Sequence, residues 1–259
     1  TESTDGSPVA TEDSLNRGLG GMDWRELFTD PHLQALIGQG LQNNTDYQSA
    51  QLRVEEAEAP LLSAKLAFLP SFAFAPQGTV SSFDSHKATQ TYSLPVTASW
   101  ELDIFGRMRN AKKQSKALYA QSRDYRQAVR TQLIAGIANT YYTLLMLDEQ
   151  LAISRQTEET WKETVASTRA LMNAGMADES AVSQMEAAYY QVQASVLDLE
   201  EQINQVENSL ALLLAETPRR YERGVLAEQQ FPADFSIGIP VRMLSCRPDV
   251  RSAERTLEA

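Results

Sequence analysis

Few side chains in this sequence are of the types that perform chemistry, and their spacing brings none of them together. The only histidines, His32 and His86, stand far apart, one at the start of a helical pattern and one in a turn-like stretch. A metal centre or a histidine-dependent triad is therefore not expected. Cys246 is the single cysteine, so no intrachain disulfide or cysteine zinc site can form. No activating base accompanies it, and it is expected to be a buried or half-buried bystander. Met172 and Met176, four residues apart, could offer two thioethers to a soft metal. Packing at a helix seam and turn is the simpler use of such a pair. No glycine-rich phosphate loop is present. Catalytic residues, cofactors and metals are all expected to be absent, and the chain is not expected to be an enzyme.

What the sequence encodes instead is long elements. Its 259 residues carry a formal net charge of −11, with a pI near 4.8 and a mean hydropathy of −0.36. The length allows one or two domains. The acidic balance argues against a nucleic-acid binder, which needs a basic face for phosphates. No run of apolar residues is long enough for a transmembrane helix, which leaves a membrane β-strand open because its signal is far weaker. Residues 1–22 are polar and glycine-rich and are expected to be mobile. The first eight are expected to be a mature or engineered terminus, and no signal peptide is read there.

Asp30-Pro31 reads as a helix start, with Asp30 as cap and Pro31 at the first helical position. Leu33, Leu36, Ile37 and Leu41 follow at helical spacing, and Asn43-Asn44 interrupts them. Thr45 or Asp46 can cap a second helix carrying Tyr47, Ala50, Val54, Ala57, Leu61, Ala64 and Phe68, kinked at Pro60 and ended by Pro70. The pattern then changes period. Tyr92, Leu94, Val96, Ala98, Trp100 and Leu102 alternate with Ser93, Pro95, Thr97, Ser99, Glu101 and Asp103, and Phe72 and Phe74 alternate earlier, across a turn at 82–88. Period two marks strands with one apolar and one polar face. Two readings fit: a strand crossing a bilayer with Tyr92 and Trp100 at the interfaces, or a soluble hairpin with one face on a core.

Residues 107–173 lack proline and contain one glycine, Gly136. Val129, Leu133, Ile137, Tyr141, Leu144, Leu147 and Leu151 step by three or four, and the grid runs on through Ser154, Glu158, Trp161, Val165, Thr168 and Met172. A single helix of this length would measure on the order of 100 Å, so a coiled coil is the natural reading. Gly175 can close it in the left-handed conformation, and Asp178 can cap the next helix. There Val182, Met185, Tyr189, Val192, Val196, Leu199, Ile203, Val206, Leu210 and Leu213 alternate strictly by three and four, the signature of a left-handed supercoil. That helix is expected to end near Thr217-Pro218. The two shorter helices together nearly match the long one. At the far end, Pro248–Ala253 resembles Thr45–Ala50, as though a second copy of the pattern were starting.

Several motifs are similar to those of the TolC/OprM-like outer-membrane factors of tripartite efflux pumps, in their lipoprotein branch. They are Trp24, Phe28–Leu33, Leu41–Asn44, Trp100–Arg107, Gly175 with Ala177, Leu210–Leu214 before Pro218, Gly238–Pro240, Leu244 and Arg247–Val250. The resemblance covers nearly the whole chain. It implies a mainly α fold with a β-hairpin: long antiparallel coiled-coil helices forming an α-barrel, plus membrane β-barrel strands. It also divides the chain: a mobile segment 1–22, helices over 23–69, a two-stranded barrel hairpin over 70–104, and a periplasmic helical hairpin over 105–217 with its turn at 173–178. A linker over 218–245 and the start of a second repeat at 246–259 complete the division. The chain is expected to be truncated after its first repeat, and the lipid-bearing cysteine of that branch would precede Thr1.

By the same resemblance the function is a passive exit duct for drugs across outer membrane and periplasm. The full-length protein would be a homotrimer, and its partners a periplasmic adaptor (membrane fusion) protein, an inner-membrane RND-type pump and outer-membrane lipid. Tyr92, Leu94, Val96, Ala98, Trp100 and Leu102 would face that lipid. Asn173, Ala174, Gly175, Met176, Ala177 and Asp178 would form the adaptor-contacting tip. One hairpin per protomer cannot complete the barrel, so this chain alone should not conduct. Two other readings fit a long helical hairpin. A periplasmic adaptor would need paired β-rich segments, for which 219–245 is too short, and a soluble scaffold would have no use for an aromatic-bounded alternating hairpin.

Overall fold

A computed structural model of the chain describes residues 23–81, 89–229 and 247–258. The expectations for 1–22, for the 82–88 turn with His86, and for most of the 218–245 linker with neighbouring Cys246 fall outside those residues. The described elements are α1 (Trp24–Leu27), α2 (Pro31–Asn43), α3 (Thr45–Leu66), β1 (Ser71–Phe74), β2 (Gln77–Ser81), β3 (Thr89–Ser93), β4 (Val96–Ser99), α4 (Arg107–Asn173), α5 (Glu179–Leu214), a 3-10 turn (Leu226–Glu228) and α6 (Pro248–Glu258). They divide into two compact units, one comprising Thr1–Ser49 with Ala128–Cys246, the other Ala50–Gln127 with Arg247–Ala259.

The first unit holds the main core. Leu33, Leu36 and Ile37 of α2 cluster with Leu133, Ile137, Tyr141, Leu144 and Leu145 of α4 and with Ile203, Leu210 and Leu214 of α5. Each such side chain taken fully from water is worth roughly 1.5–3 kcal/mol, which makes this the most strongly held part of the unit. Beyond it the helical hairpin continues on its seam alone. All ten seam positions of α5 are buried or half-buried, and so are the α4 positions 151, 154, 158, 161, 165, 168 and 172, polar members included. Ion pairs run between the two helices in antiparallel order: Arg169 with Glu186, then Arg155 with Glu200 at 2.6 Å.

Helix ends follow local chemistry, with three differences from expectation. Asp30 caps α2 as expected, its Oδ1 accepting from His32 N at 2.8 Å. The cap of α3 is Asn44, not Thr45 or Asp46: Asn44 Oδ1 accepts from Tyr47 N at 3.0 Å. The same side chain donates to the Leu213 carbonyl at 3.0 Å, so one amide tethers α5 and closes α3. Helix α3 ends at Leu66, ahead of Pro70. Helix α5 ends at Leu214, not at the proline, because Ala215 turns left-handed (φ 53°) and its N–H returns to Ala211 and Leu212.

In the second unit the apolar face of α3 falls where its spacing places it, with Ala50, Val54 and Leu61 buried. The β segment is one antiparallel hairpin of four short strands, β1 with β4 and β2 with β3, where the spacing predicts one strand per arm. Each arm is interrupted at a proline, Pro76 or Pro95, which has no N–H for the ladder. One bond bridges the gap, Ala75 N to Pro95 O at 3.4 Å. The register does not slip there: Phe72 faces Ala98, Phe74 faces Val96 and Gly78 faces Tyr92 in one unbroken sequence of pairs. Among the described residues the strands pair only within this hairpin.

Candidate functional surfaces and their anchoring

The bend between α4 and α5 is built to be tight and exposed. Gly175 adopts φ +74°. Its N–H returns to Met172 O and the Met176 N–H to Leu171 O, both at 2.9 Å, so the last carbonyls of α4 are satisfied without a side chain. Asp178 Oδ1 then accepts from Ala181 N at 2.9 Å and opens α5. Asn173, Ala174, Gly175, Met176 and Asp178 are exposed and Ala177 is half-buried. Met176 is 76% exposed while Met172 is half-buried at the seam, so the two thioethers do not share one packing site. The bend thus presents a short polar-apolar surface held by backbone hydrogen bonds.

The hairpin is a ribbon with two unlike faces and no cover. Cross-strand register stacks Phe72 with Ala98 and Phe74 with Val96 on one face, and Ser71 with Ser99 and Ala73 with Thr97 on the other. The serine hydroxyls pair at 3.1 Å. Tyr92, Leu94, Val96, Trp100 and Leu102, five of the six residues expected to face lipid, are each more than 60% exposed, and Ala98 is exposed too. The tyrosine ring lies over Gly78, 3.2 Å from where a Cβ would stand, covering the glycine of the opposite strand. An apolar face of this extent, left bare, makes the ribbon a candidate interaction surface.

Trp100–Arg107 joins ribbon to helix, and nearly every polar side chain in it has a partner. The Trp100 indole N–H donates to Phe68 O at 3.2 Å, and Glu101 pairs with Arg107 at 2.6 Å. Asp103 caps α4, accepting from Met108 N at 3.1 Å and Arg109 N at 2.9 Å. Phe105, by contrast, is 96% exposed.

Two polar clusters in the first unit have no counterpart in the sequence reading. Buried Asp30 accepts from the Tyr141 hydroxyl at 2.5 Å and from Gln229 Nε2 at 2.8 Å, and Gly224 N donates to that hydroxyl at 2.9 Å. Burial pushes the Asp30 carboxyl up, but the hydrogen bonds from Tyr141, Gln229 and the His32 and Leu33 amides outweigh it and hold the group below its usual range. Burial, then the bond to Asp30, raises the Tyr141 phenol well above its usual value. In the second cluster Arg223 forks onto Asp148 and reaches Glu207 at 2.6 Å. Both clusters fasten the stretch after α5 to the helical core. Among the described residues no group of His, Cys, Asp and Glu could hold a metal ion.

The family model for the outer membrane efflux protein matches residues 36–216. The chain belongs to the outer membrane efflux protein family. The family's description places its members in the outer membrane. It is 28% identical over 240 residues to the probable outer membrane lipoprotein SilC of Salmonella typhimurium, covering 91% of this chain and 52% of the relative. It is 29% identical over 245 residues to the probable efflux pump outer membrane protein TtgC of Pseudomonas putida, covering 91% and 51%. The open state of the MtrE outer membrane channel of Neisseria gonorrhoeae superposes with a TM-score of 0.76 at 26% identity, over 92% of this chain and 54% of that one. The chain thus spans about half the length of the relatives it matches.

Proposed function

We propose that this chain is part of a passive exit duct of a tripartite multidrug efflux pump. Three full-length protomers would each contribute the ribbon to a shared outer-membrane barrel and the α4–α5 hairpin to a periplasmic tunnel. Tyr92, Leu94, Val96, Ala98, Trp100 and Leu102 would face lipid, and Ser71, Thr97 and Ser99 the aqueous side. The bend at Asn173–Asp178 would dock a periplasmic adaptor that links the duct to an inner-membrane RND-type pump. A duct of this kind needs no catalytic group, since width and lining charge set its selectivity and the pump supplies the work.

The observation that carries this reading is the ribbon: its register never slips, so one face carries Phe72, Phe74, Val80, Tyr92 and Val96, with Gln90 its one polar side chain among the described strand residues, and that face is bare. A soluble scaffold would bury such a face or not build it. The test uses full-length protein in outer membranes, in a Cys246→Ser background, with a single cysteine at position 96 or 97. The cysteine at 97 should react with a water-soluble maleimide entering through the pore, and the cysteine at 96 only with a lipid-soluble one. The reverse pattern, or equal reaction with the water-soluble reagent, overturns the reading.

A further inference from the structure

The first turns of α4 carry a charge pattern that helix stability does not explain. Of residues 107–126, seven are Lys or Arg and one, Asp124, is acidic, in a chain whose net charge is −11. Helix N-termini favour acidic side chains, because the macrodipole is positive there. Arg109, Lys112, Lys113 and Lys116 are spaced i, i+3, i+4 and i+7 and so share one face, and Arg123 continues it after another seven residues. The neighbours of this face are only partly neutralising. Arg109 pairs with Asp103 at 3.3 Å, Lys112 lies 5.5 Å from the Phe68 ring centre, and Asp124 pairs with Arg251 of α6 at 3.6 Å. Lys113 and Lys116 have no ion-pair partner among the described residues, and with Ala117, Ala120 and Arg255 they line an open cleft of about 450 Å³ between α4 and α6. This basic face begins four residues after Phe105, where the bare apolar surface of the ribbon ends.

From this juxtaposition we propose that Arg109, Lys112, Lys113 and Lys116 form a site for the phosphate headgroups of anionic phospholipid, with Lys113 and Lys116 holding one headgroup in the cleft. It rests on the reading of the ribbon as lipid-facing. Arg109 to Lys116 rises roughly 10 Å along the helix, comparable with the depth of one headgroup layer, roughly 5–8 Å. Continuity fixes the occupant: apolar side chains meet acyl chains, and the cations that follow in sequence meet the charges attached to those chains. Each cation near such a surface strengthens binding about fivefold.

The full-length protein in detergent is titrated with phosphatidylglycerol and with phosphatidylcholine, and bound lipid is counted by native mass spectrometry. The wild type should prefer phosphatidylglycerol. The double variant Lys113→Gln/Lys116→Gln should bind it roughly 25-fold more weakly, with phosphatidylcholine binding and the melting temperature unchanged. Lys113→Arg/Lys116→Arg should restore the preference. Equal affinity for the two lipids, or no loss in the double variant, overturns the proposal. So does competition by millimolar inorganic phosphate at constant ionic strength, which would mark a free-anion site. Protein stripped from vesicles by a carbonate wash would overturn the duct reading and this proposal with it, whereas retained protein with no lipid preference overturns this proposal alone.

Discussion

The Tyr141 hydroxyl donates to Asp30 Oδ2 at 2.5 Å, across 111 residues of sequence, inside a site where Asp30 is 7% exposed. The same hydroxyl receives the Gly224 N–H, so one phenol joins the start of α2, the middle of α4 and the stretch after α5. Asp30 both caps α2 and is the hub of this contact.

Tyr141→Phe keeps the ring packing but strips a donor from Asp30 and an acceptor from Gly224 N–H. The loss should be about 1–3 kcal/mol of unfolding free energy, the cost of leaving buried polar groups unpaired, read from urea denaturation. Gly224→Ala should be at least as damaging, because its Cβ would stand 2.8 Å from Asp30 Oδ2. A wild-type midpoint in both variants would mean the contact does not hold the fold.

Asp30 also sets an acid limit. Its folded-state pKa lies below the unfolded value of 3.8. The stability it contributes is therefore present above the unfolded value and is lost as pH falls through the lower folded value. Denaturation midpoints of the wild type should drop over that interval, and Asp30→Asn should flatten the drop while starting from a lower plateau. A variant with the wild-type acid profile would remove Asp30 from the account.

Arg223→Ala should be the costlier single change in the stretch after α5. It leaves Glu207, 5% exposed, and Asp148 without their shared cation. Uncompensated buried charge costs about 3–5 kcal/mol. Arg223→Lys should recover part of that, since a single ammonium cannot fork onto Asp148. Thermal melting of the three proteins ranks them, and equal melting temperatures would contradict the pairing.

At the bend, Gly175→Ala should cost about 1–2 kcal/mol from the left-handed backbone alone, since the space around the glycine is open. Gly175→Pro cannot adopt φ +74° at all. In the full-length protein it should weaken adaptor pull-down while trimers persist on native gels. Unchanged pull-down would detach docking from Asn173–Asp178.

On the ribbon, Val96→Arg should impair assembly of the full-length protein by about 2–4 kcal/mol if position 96 meets the bilayer interior. Thr97→Arg, one residue away on the opposite face, should be tolerated. Heat-resistant trimer on gels distinguishes them, and equal behaviour of the two variants would contradict the assignment of faces.

The hairpin of α4 and α5 is legible because its signal is local and repeated. The grid runs correctly through Ser154, Glu158 and Thr168, which are half-buried despite being polar, since position on the helix decides what faces the partner. The caps at Asp30, Gly175 and Asp178 are legible for the same reason: each acts within four residues of itself. Asn44 caps just as locally, through Tyr47 N, but it stands beside Thr45 and Asp46, which are equally suited to cap, and its tether to Leu213, 169 residues away, has no short-range signal. Tyr141 reads as a seam residue and Asp30 as a cap, but their contact depends on how distant segments meet. Arg223, Asp148 and Glu207 carry no short-range signal. Pro95 sits among the polar positions of a strand pattern, where counting faces hides the missing N–H. Ala215 gives no sign of a left-handed turn because alanine rarely makes one.

The interruption at Pro76 and Pro95 acquires a different meaning once copies are placed around an axis. In the proposed trimer, symmetry would repeat this local weakness at a single height, once in each copy, as compliant points spaced around the wall. Flexing concentrated there would let the upper and lower courses of strands tilt against each other while the alternation of inward and outward side chains stays intact.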